Sequence, residues 1–187
     1  MRRLDLSTVD EEALETLHSK AKERASGYAV RQWTDFAPDD LIDDVAYLDG
    51  RLSTDAPMGD LGLEPDNVDA DRIRAVEQVV VKRGRHSFHS GIVHEASGRL
   101  VAWTTISNDL DVPWHAWQQI TIVDPDHRGH RLGALVKVEN LRFFRANMPE
   151  VQIVDTFNAA ENSYMIAINE DMGFRPKFAF ANWKREI

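Results

Sequence analysis

The chain of 187 residues contains no cysteine. That absence excludes disulfides, thiolate metal sites and an acyl-cysteine intermediate. No apolar run approaches the roughly 20 residues needed to cross a bilayer. The opening Met1-Arg2-Arg3-Leu4-Asp5 turns acidic without an apolar signal core. Both point to a cytoplasmic protein with no membrane partner. Basic residues are outnumbered, 22 Lys and Arg against 31 Asp and Glu, for a formal net charge of −9. A surface so acidic does not suit nucleic acid. It suits a cationic small molecule or amine better. There is no internal repeat and no low-complexity tract. The length fits one domain, and 43% hydrophobic with 28% charged residues is an ordinary globular composition.

The periodicities predict a mixed α/β domain in one core. A helix is expected over about Thr8 to Ala25, with Thr8 and Glu11 at capping-box spacing and Leu14, Leu17 and Ala21 on one face. A short strand from Tyr28 to about Trp33 follows, then a helix from Pro38 carrying Leu41, Val45 and Leu48. Leu52 to Asn67 is a long loop with Asp55 and Asp60. A further helix runs from about Asp69 to Arg83. Phe88–His94 and Leu100–Ile106 form a hairpin, and Trp117–Val123 a third strand. Then come a helix from Gly129 to Met148, a strand from Val151 to Thr156, a helix from Asn162 to Met172, and a final strand from Lys177 to Trp183.

The densest chemical signal is Ile122-Val123-Asp124-Pro125-Asp126-His127-Arg128-Gly129-His130-Arg131-Leu132-Gly133. It reads as a strand, a short glycine-containing loop and a helix start. Exposed N–H groups at a helix N-terminus, together with the helix dipole, make an anion site. Gly129 and Gly133 let the backbone approach a bulky anion. Arg128 and Arg131 add donors shaped for phosphate. A diphosphate is the natural occupant; the alternative is a strand-to-helix turn with no ligand.

This segment resembles the acetyl-CoA loop of the GNAT superfamily, Arg/Gln-x-x-Gly-x-Gly/Ala after a strand ending Val-x-Pro. Arg128 takes the first place and Gly133 the last, while Arg131 stands where the middle glycine is usual. A second block, Asn158-Ala159-Ala160-Glu161-Asn162, leads into a helix ending Met172-Gly173-Phe174 and resembles the next family element. The resemblance implies the GNAT fold, with residues 27–112 as the acceptor-side half and 113–187 as the acetyl-CoA half. It implies pantetheine on the main chain of Ile122 and Val123 and pyrophosphate on the N–H groups of Arg128, Gly129, His130, Arg131, Leu132 and Gly133. Asn158 and Asn162 would be further contacts. The implied activity is N-acetyl transfer from acetyl-CoA, without a metal, to the amine of a cationic small molecule. The variant loop is similar to that of the C-terminal copy in actinobacterial tandem GNAT proteins. On that likeness, residues 1–26 would be a linker remnant or a homodimer contact.

Asn169 stands where the family often has a tyrosine that protonates the leaving thiolate, and an amide cannot act as that acid. Tyr164 is the nearest substitute. The strand carries no carboxylate base. Gln118 and Thr121 could orient a water, or His115 could act directly. His127 and His130 have metal-like spacing but no carboxylate cluster, and His86, His89 and His94 read as surface residues. Asp55 and Trp33 are the expected acceptor contacts. The competing functional class is a non-catalytic domain that binds CoA and regulates or scaffolds.

Overall fold

A computed structural model describes residues 1–52 and 67–180. Asp55 and Asp60 lie outside the described residues. The strands are β1 (Arg2–Asp5), β2 (Tyr28–Thr34), β3 (Arg85–His94), β4 (Leu100–Asp109), β5 (His115–Val123), β6 (Ile153–Thr156) and β7 (Arg175–Pro176). The helices are α1 (Glu11–Lys22), α2 (Ile42–Gly50), α3 (Ala70–Lys82), α4 (Leu132–Asn147) and α5 (Ser163–Asp171). One seven-stranded sheet runs in the order β2-β3-β4-β5-β6-β1-β7. All pairings are antiparallel except that of β5 with β6. No helix among the described residues is long and apolar enough to cross a membrane.

The sheet is covered on both faces. α1 and α4 close one side over Phe88, Ala102, Ile106 and Val154. α2 and α3 close the other over Trp33, Trp103 and Ile122. The alternation of each strand assigns its residues to the two layers. Phe88 and Ile92 of β3 face α4, whereas Gly91 faces the second layer. A Cβ at Gly91 would collide with Leu100 Cδ1 and stand 3.1 and 3.2 Å from the Trp33 ring.

Several boundaries differ from those expected. Asp10, not Thr8, caps α1, its carboxylate accepting the Ala13 N–H at 2.9 Å. Asp is a strong cap, and Glu11 and Glu12 follow it in the first turn. Thr8 belongs to a 3-10 turn, Leu6–Thr8, opened by Asp5. Pro38 lies in the turn before α2 rather than in its first turn. α4 starts at Leu132, because Gly129 and Arg131 hold left-handed backbone. The last strand is Arg175–Pro176, not Lys177–Trp183. Residues 177–180 are not strand and 181–183 lie outside the described range. The partner of β7 is only β1, and Pro176 offers no N–H to a ladder.

β1 is the strand that periodicity misses, since Leu4 is its one apolar residue. It is held between β6 and β7 by Leu4, 1% exposed, and by the forked pair of Arg3 with Asp155 at 2.8 and 2.7 Å. Residues 1–26 therefore pack into the domain, with α1 lying along α4 through Leu14, Leu17 and Ala21.

What positions the site is the meeting of β5 and β6. They pair only from His115 to Gln118 against Ile153 to Thr156. β5 then continues to Val123 with no neighbouring strand on that edge among the described residues. A bulge precedes the opening: between the pairs Thr104–Thr121 and Ile106–Gln118, β5 has one more residue than β4.

We expect Gly91→Ala to lower stability by about 1–3 kcal/mol, the usual cost of overpacking, in urea denaturation. An unchanged midpoint would contradict the packing described for Trp33.

Candidate active site

The end of β5 turns through Asp124, whose N–H donates to Val101 O at 2.8 Å and whose carboxylate accepts from Asp126 N–H at 3.0 Å. A 3-10 turn over Pro125–His127 follows. Gly129 has φ +88°, and Arg131, the residue before α4, has φ +56° and ψ +22°. The first is open only to glycine without strain; the second is left-handed helical backbone, which costs a side-chain-bearing residue roughly 1–2 kcal/mol. The pay-off is orientation: the consecutive N–H groups from Gly129 to Gly133 donate to no described residue. They form the positive end of the 16-residue α4.

A groove of about 550 Å³ opens here. β5 contributes Thr121, Ile122 and Val123 along its unpaired edge, and the loop contributes Arg128, Gly129 and Arg131. Leu132 and Gly133 from α4, Asn162, Tyr164 and Met165 at the start of α5, and Leu52 just after α2 complete it. The two sequence blocks thus meet across one cleft. A Cβ on Gly133 would sit at ordinary contact distance, 3.6 Å, from Val123 and Ile168, so it is Gly129 whose backbone demands glycine.

Of the other expected site residues, Asn158, Gln118 and Trp33 lie outside the groove lining. Asn158 does not line the groove; its Oδ1 accepts from Asn169 Nδ2 at 2.9 Å. Asn162 uses its Oδ1 to cap α5 through the Met165 N–H at 3.1 Å. The His130 ring packs against Tyr28, with the centroids 5.3 Å apart. Tyr164 is exposed at the groove rim. Gln118 is buried, and its Nε2 donates to Thr104 Oγ1 at 2.9 Å and Thr105 O at 2.8 Å, which ties down the β5 bulge. Trp33 is buried under α2, stacked on His89 at 5.3 Å between centroids. His115 donates from Nε2 to Asp155 Oδ2 at 2.9 Å, on the part of β5 before the opening. Burial alone would raise the Asp155 pKa, but the Arg3 and His115 hydrogen bonds hold it below the ordinary carboxylate value.

His89 is a correction: it is buried in the sheet, not on the surface. Burial pushes its pKa down to about 3. Its Nδ1 faces both Trp103 Nε1, at 3.2 Å, and Thr105 Oγ1, at 2.8 Å. Trp Nε1 can only donate, so Nδ1 accepts and the proton of the neutral ring is on Nε2. Two buried donors, His89 Nε2 and Trp33 Nε1, are left without a partner among the described residues.

A residue that motif reading missed is Lys137 on α4. It is 1% exposed, and desolvation pushes its pKa down to about 7. The signal was one lysine inside Ala134-Leu135-Val136-Lys137-Val138, a stretch otherwise wholly apolar.

No protein-family model matches the sequence, and no curated protein matches it. Solved structures do. A tandem GNAT protein from the clavulanic acid biosynthesis pathway is 32% identical with a TM-score of 0.73, over 94% of this chain and 49% of that one. The chain belongs to the GNAT superfamily. It spans about half the length of that tandem protein. Two more distant structures share the fold. One is AAC(6')-Iy in complex with the bisubstrate analog CoA-S-monomethyl-acetylneamine, at 13% identity and TM-score 0.55, covering 87% of this chain and 100% of that one. The other is the aminoglycoside antibiotic 6'-N-acetyltransferase AAC(6')-Ih from Acinetobacter baumannii, at 13% and 0.54, covering 85% and 99%.

Arg131→Gly should leave stability unchanged to within about 1 kcal/mol, whereas Arg131→Val should cost about 1–3 kcal/mol, because a β-branched residue is an outlier at positive φ. Thermal melts of the two variants decide this. His89 gives a pH signature. Its folded pKa lies below the unfolded one, so the unfolded chain binds the extra proton between pH about 3 and 6.5. Its contribution to stability is whole above 6.5 and declines on acidification, by at most about 1.4 kcal/mol per pH unit. In His89→Phe that part of the pH dependence should vanish from urea titrations.

Proposed function

We propose that this GNAT domain is an N-acetyltransferase that moves acetyl directly from acetyl-CoA to the amine of a small cationic molecule in the cytoplasm. The observation that carries the reading is the juxtaposition of a β5 edge that has no neighbouring strand among the described residues and a run of N–H groups that donate to no described residue at the adjacent start of α4. A pantetheine arm has amides that can complete an open strand edge, and a pyrophosphate is the anion such an N-terminus takes. Arg128 and Arg131 face the same groove and add positive charge. Acetyl-CoA supplies the activated thioester.

In this reading Ile122 and Val123 align the arm, and the Val123 N–H stabilises the oxygen on which charge develops as the amine attacks. Asn162 and Tyr164 border the arm from α5. The acceptor approaches from the side of β2 and α2, and the net charge of −9 favours a cation. AAC(6')-Iy, solved with a CoA-acetylneamine analog, is a precedent of shared fold for a small amine substrate. We further propose a second copy of the chain as partner. A monomer mass in light scattering at micromolar concentration would overturn that part.

Calorimetry should show acetyl-CoA binding, weakened about tenfold by Arg128→Ala, in line with the loss of one charge-assisted contact. Incubation with polyamines, aminoglycosides and amino acids should then release free CoA thiol. Absence of binding sinks the proposal. Tight binding without turnover across the panel points instead to a CoA-binding regulatory domain.

A further inference from the structure

Aromatic side chains flank the point where β5 and β6 separate. Trp117 stands opposite Asp155 in the last pair but one, and Phe157 is the first residue beyond the last pair, Gln118 with Thr156. Their rings are stacked, with centroids 5.3 Å apart and planes 7° from parallel. The row continues on both sides. His115 meets Trp117 edge-on at 5.1 Å, and Trp114 meets His115 at 5.4 Å. Phe180 meets Phe157 at 5.6 Å. Trp114, Phe157 and Phe180 are exposed, Phe157 to 57%. Single exposed apolar residues need no explanation, but a contiguous row of this size marks a binding surface.

The row is anchored from within the sheet. His115 is bonded to Asp155 at 2.9 Å, and Asp155 is held in turn by the Arg3 fork. Trp117 stands opposite Ser107, and alternation along β4 puts Ser107 on the same face as Trp103. The stack therefore lies on the face that α2 and α3 cover further along. The row itself holds no carboxylate, and Asp155 is already spent on Arg3 and His115. It offers ring faces rather than free negative charge.

The groove points toward this row. Thr121, Ile122 and Val123 line it along β5, with the glycine loop at the Val123 end. An arm laid on them from the loop advances toward Gln118, so its acyl end faces the closed end of the opening. Trp117 and Phe157 stand there.

We propose that the Trp117–Phe157 stack is the platform on which the acceptor's body lies, and that the acceptor is an amine carried on a flat apolar ring rather than a polyamine or an aminoglycoside. This rests on the acetyl-transfer reading above. A ring face attracts a second flat ring by stacking and an ammonium by its quadrupole. A polycation or a hydroxylated sugar instead calls for several carboxylates and hydrogen-bond partners. In the reaction the nitrogen bonds to the acetyl carbon and the C–S bond breaks with its electron pair on sulfur. The nitrogen sheds one proton to water and sulfur takes one from water, so no other reactant is needed.

The test compares kcat/KM for 2-phenylethylamine, spermidine and an aminoglycoside in the wild type, F157A and F157W. Wild-type kcat/KM should be highest for 2-phenylethylamine, by about tenfold or more. F157A should raise its KM about 5–20-fold, in line with the loss of one stacked ring and its buried area. F157W, which keeps a ring there, should stay within about threefold of wild type, and acetyl-CoA affinity by calorimetry should stay within about twofold in both variants. A wild type that prefers spermidine or the aminoglycoside overturns the proposal and leaves the acetyl-transfer reading standing. So does an F157A KM within about twofold of wild type. If F157A turns a dimer into a monomer in light scattering with KM unchanged, the row is a contact between copies and the proposal is likewise overturned. If the wild type binds no acetyl-CoA or acetylates no amine, the acetyl-transfer reading fails first and this one with it.

Discussion

The candidate site depends on two parallel strands parting company. β5 and β6 share hydrogen bonds for four residue pairs and then separate after Gln118 and Thr156. A sheet interior normally leaves no main-chain group unpaired, because a buried N–H or C=O without a partner is expensive. Here the edge exposed by the separation lines a groove, where a ligand can supply the missing partners. Gln118 maintains the arrangement from inside: its amide holds the bulge of β5 to Thr104 and Thr105. A residue suspected of chemistry is tied by its hydrogen bonds to the frame.

The glycine loop before α4 depends on the same strand. β5 delivers Asp124 against β4, and the left-handed residues Gly129 and Arg131 then turn the chain into α4 with its N–H groups outward. The opening and the helix start are about the length of a short loop apart. That proximity makes one continuous groove from two separate devices, each of which alone would be a weak signal.

The parts of the molecule legible in the sequence are those with local causes. The loop from Asp124 to Gly133 and the block from Asn158 to Phe174 carried their chemistry in residue type and spacing, and the structure brings Ile122, Arg128, Gly133 and Asn162 into one groove. Strong periodicity located the helices to within a few residues. What was illegible depends on distant partners. β1 has one apolar residue and exists because Asp155 waits for Arg3. His89 looks like a surface histidine in a polar stretch, yet Trp33 and Trp103 enclose it. The role of Gln118 needs the bulge, which no single strand reveals. Arg131 stands in a glycine's usual place, and in the structure it adopts the glycine-like backbone itself.

The position of β1 has a consequence for how the protein is made. Residues 2–5 lie between β6 and β7, whose residues are more than 140 positions later in the chain. During synthesis at about 5–20 residues per second, the first strand emerges many seconds before either neighbour exists. It must remain unpaired, with its polar main chain in water, until Ile153–Thr156 has left the ribosome. The two arginines that make β1 unreadable as a strand also keep it soluble while it waits.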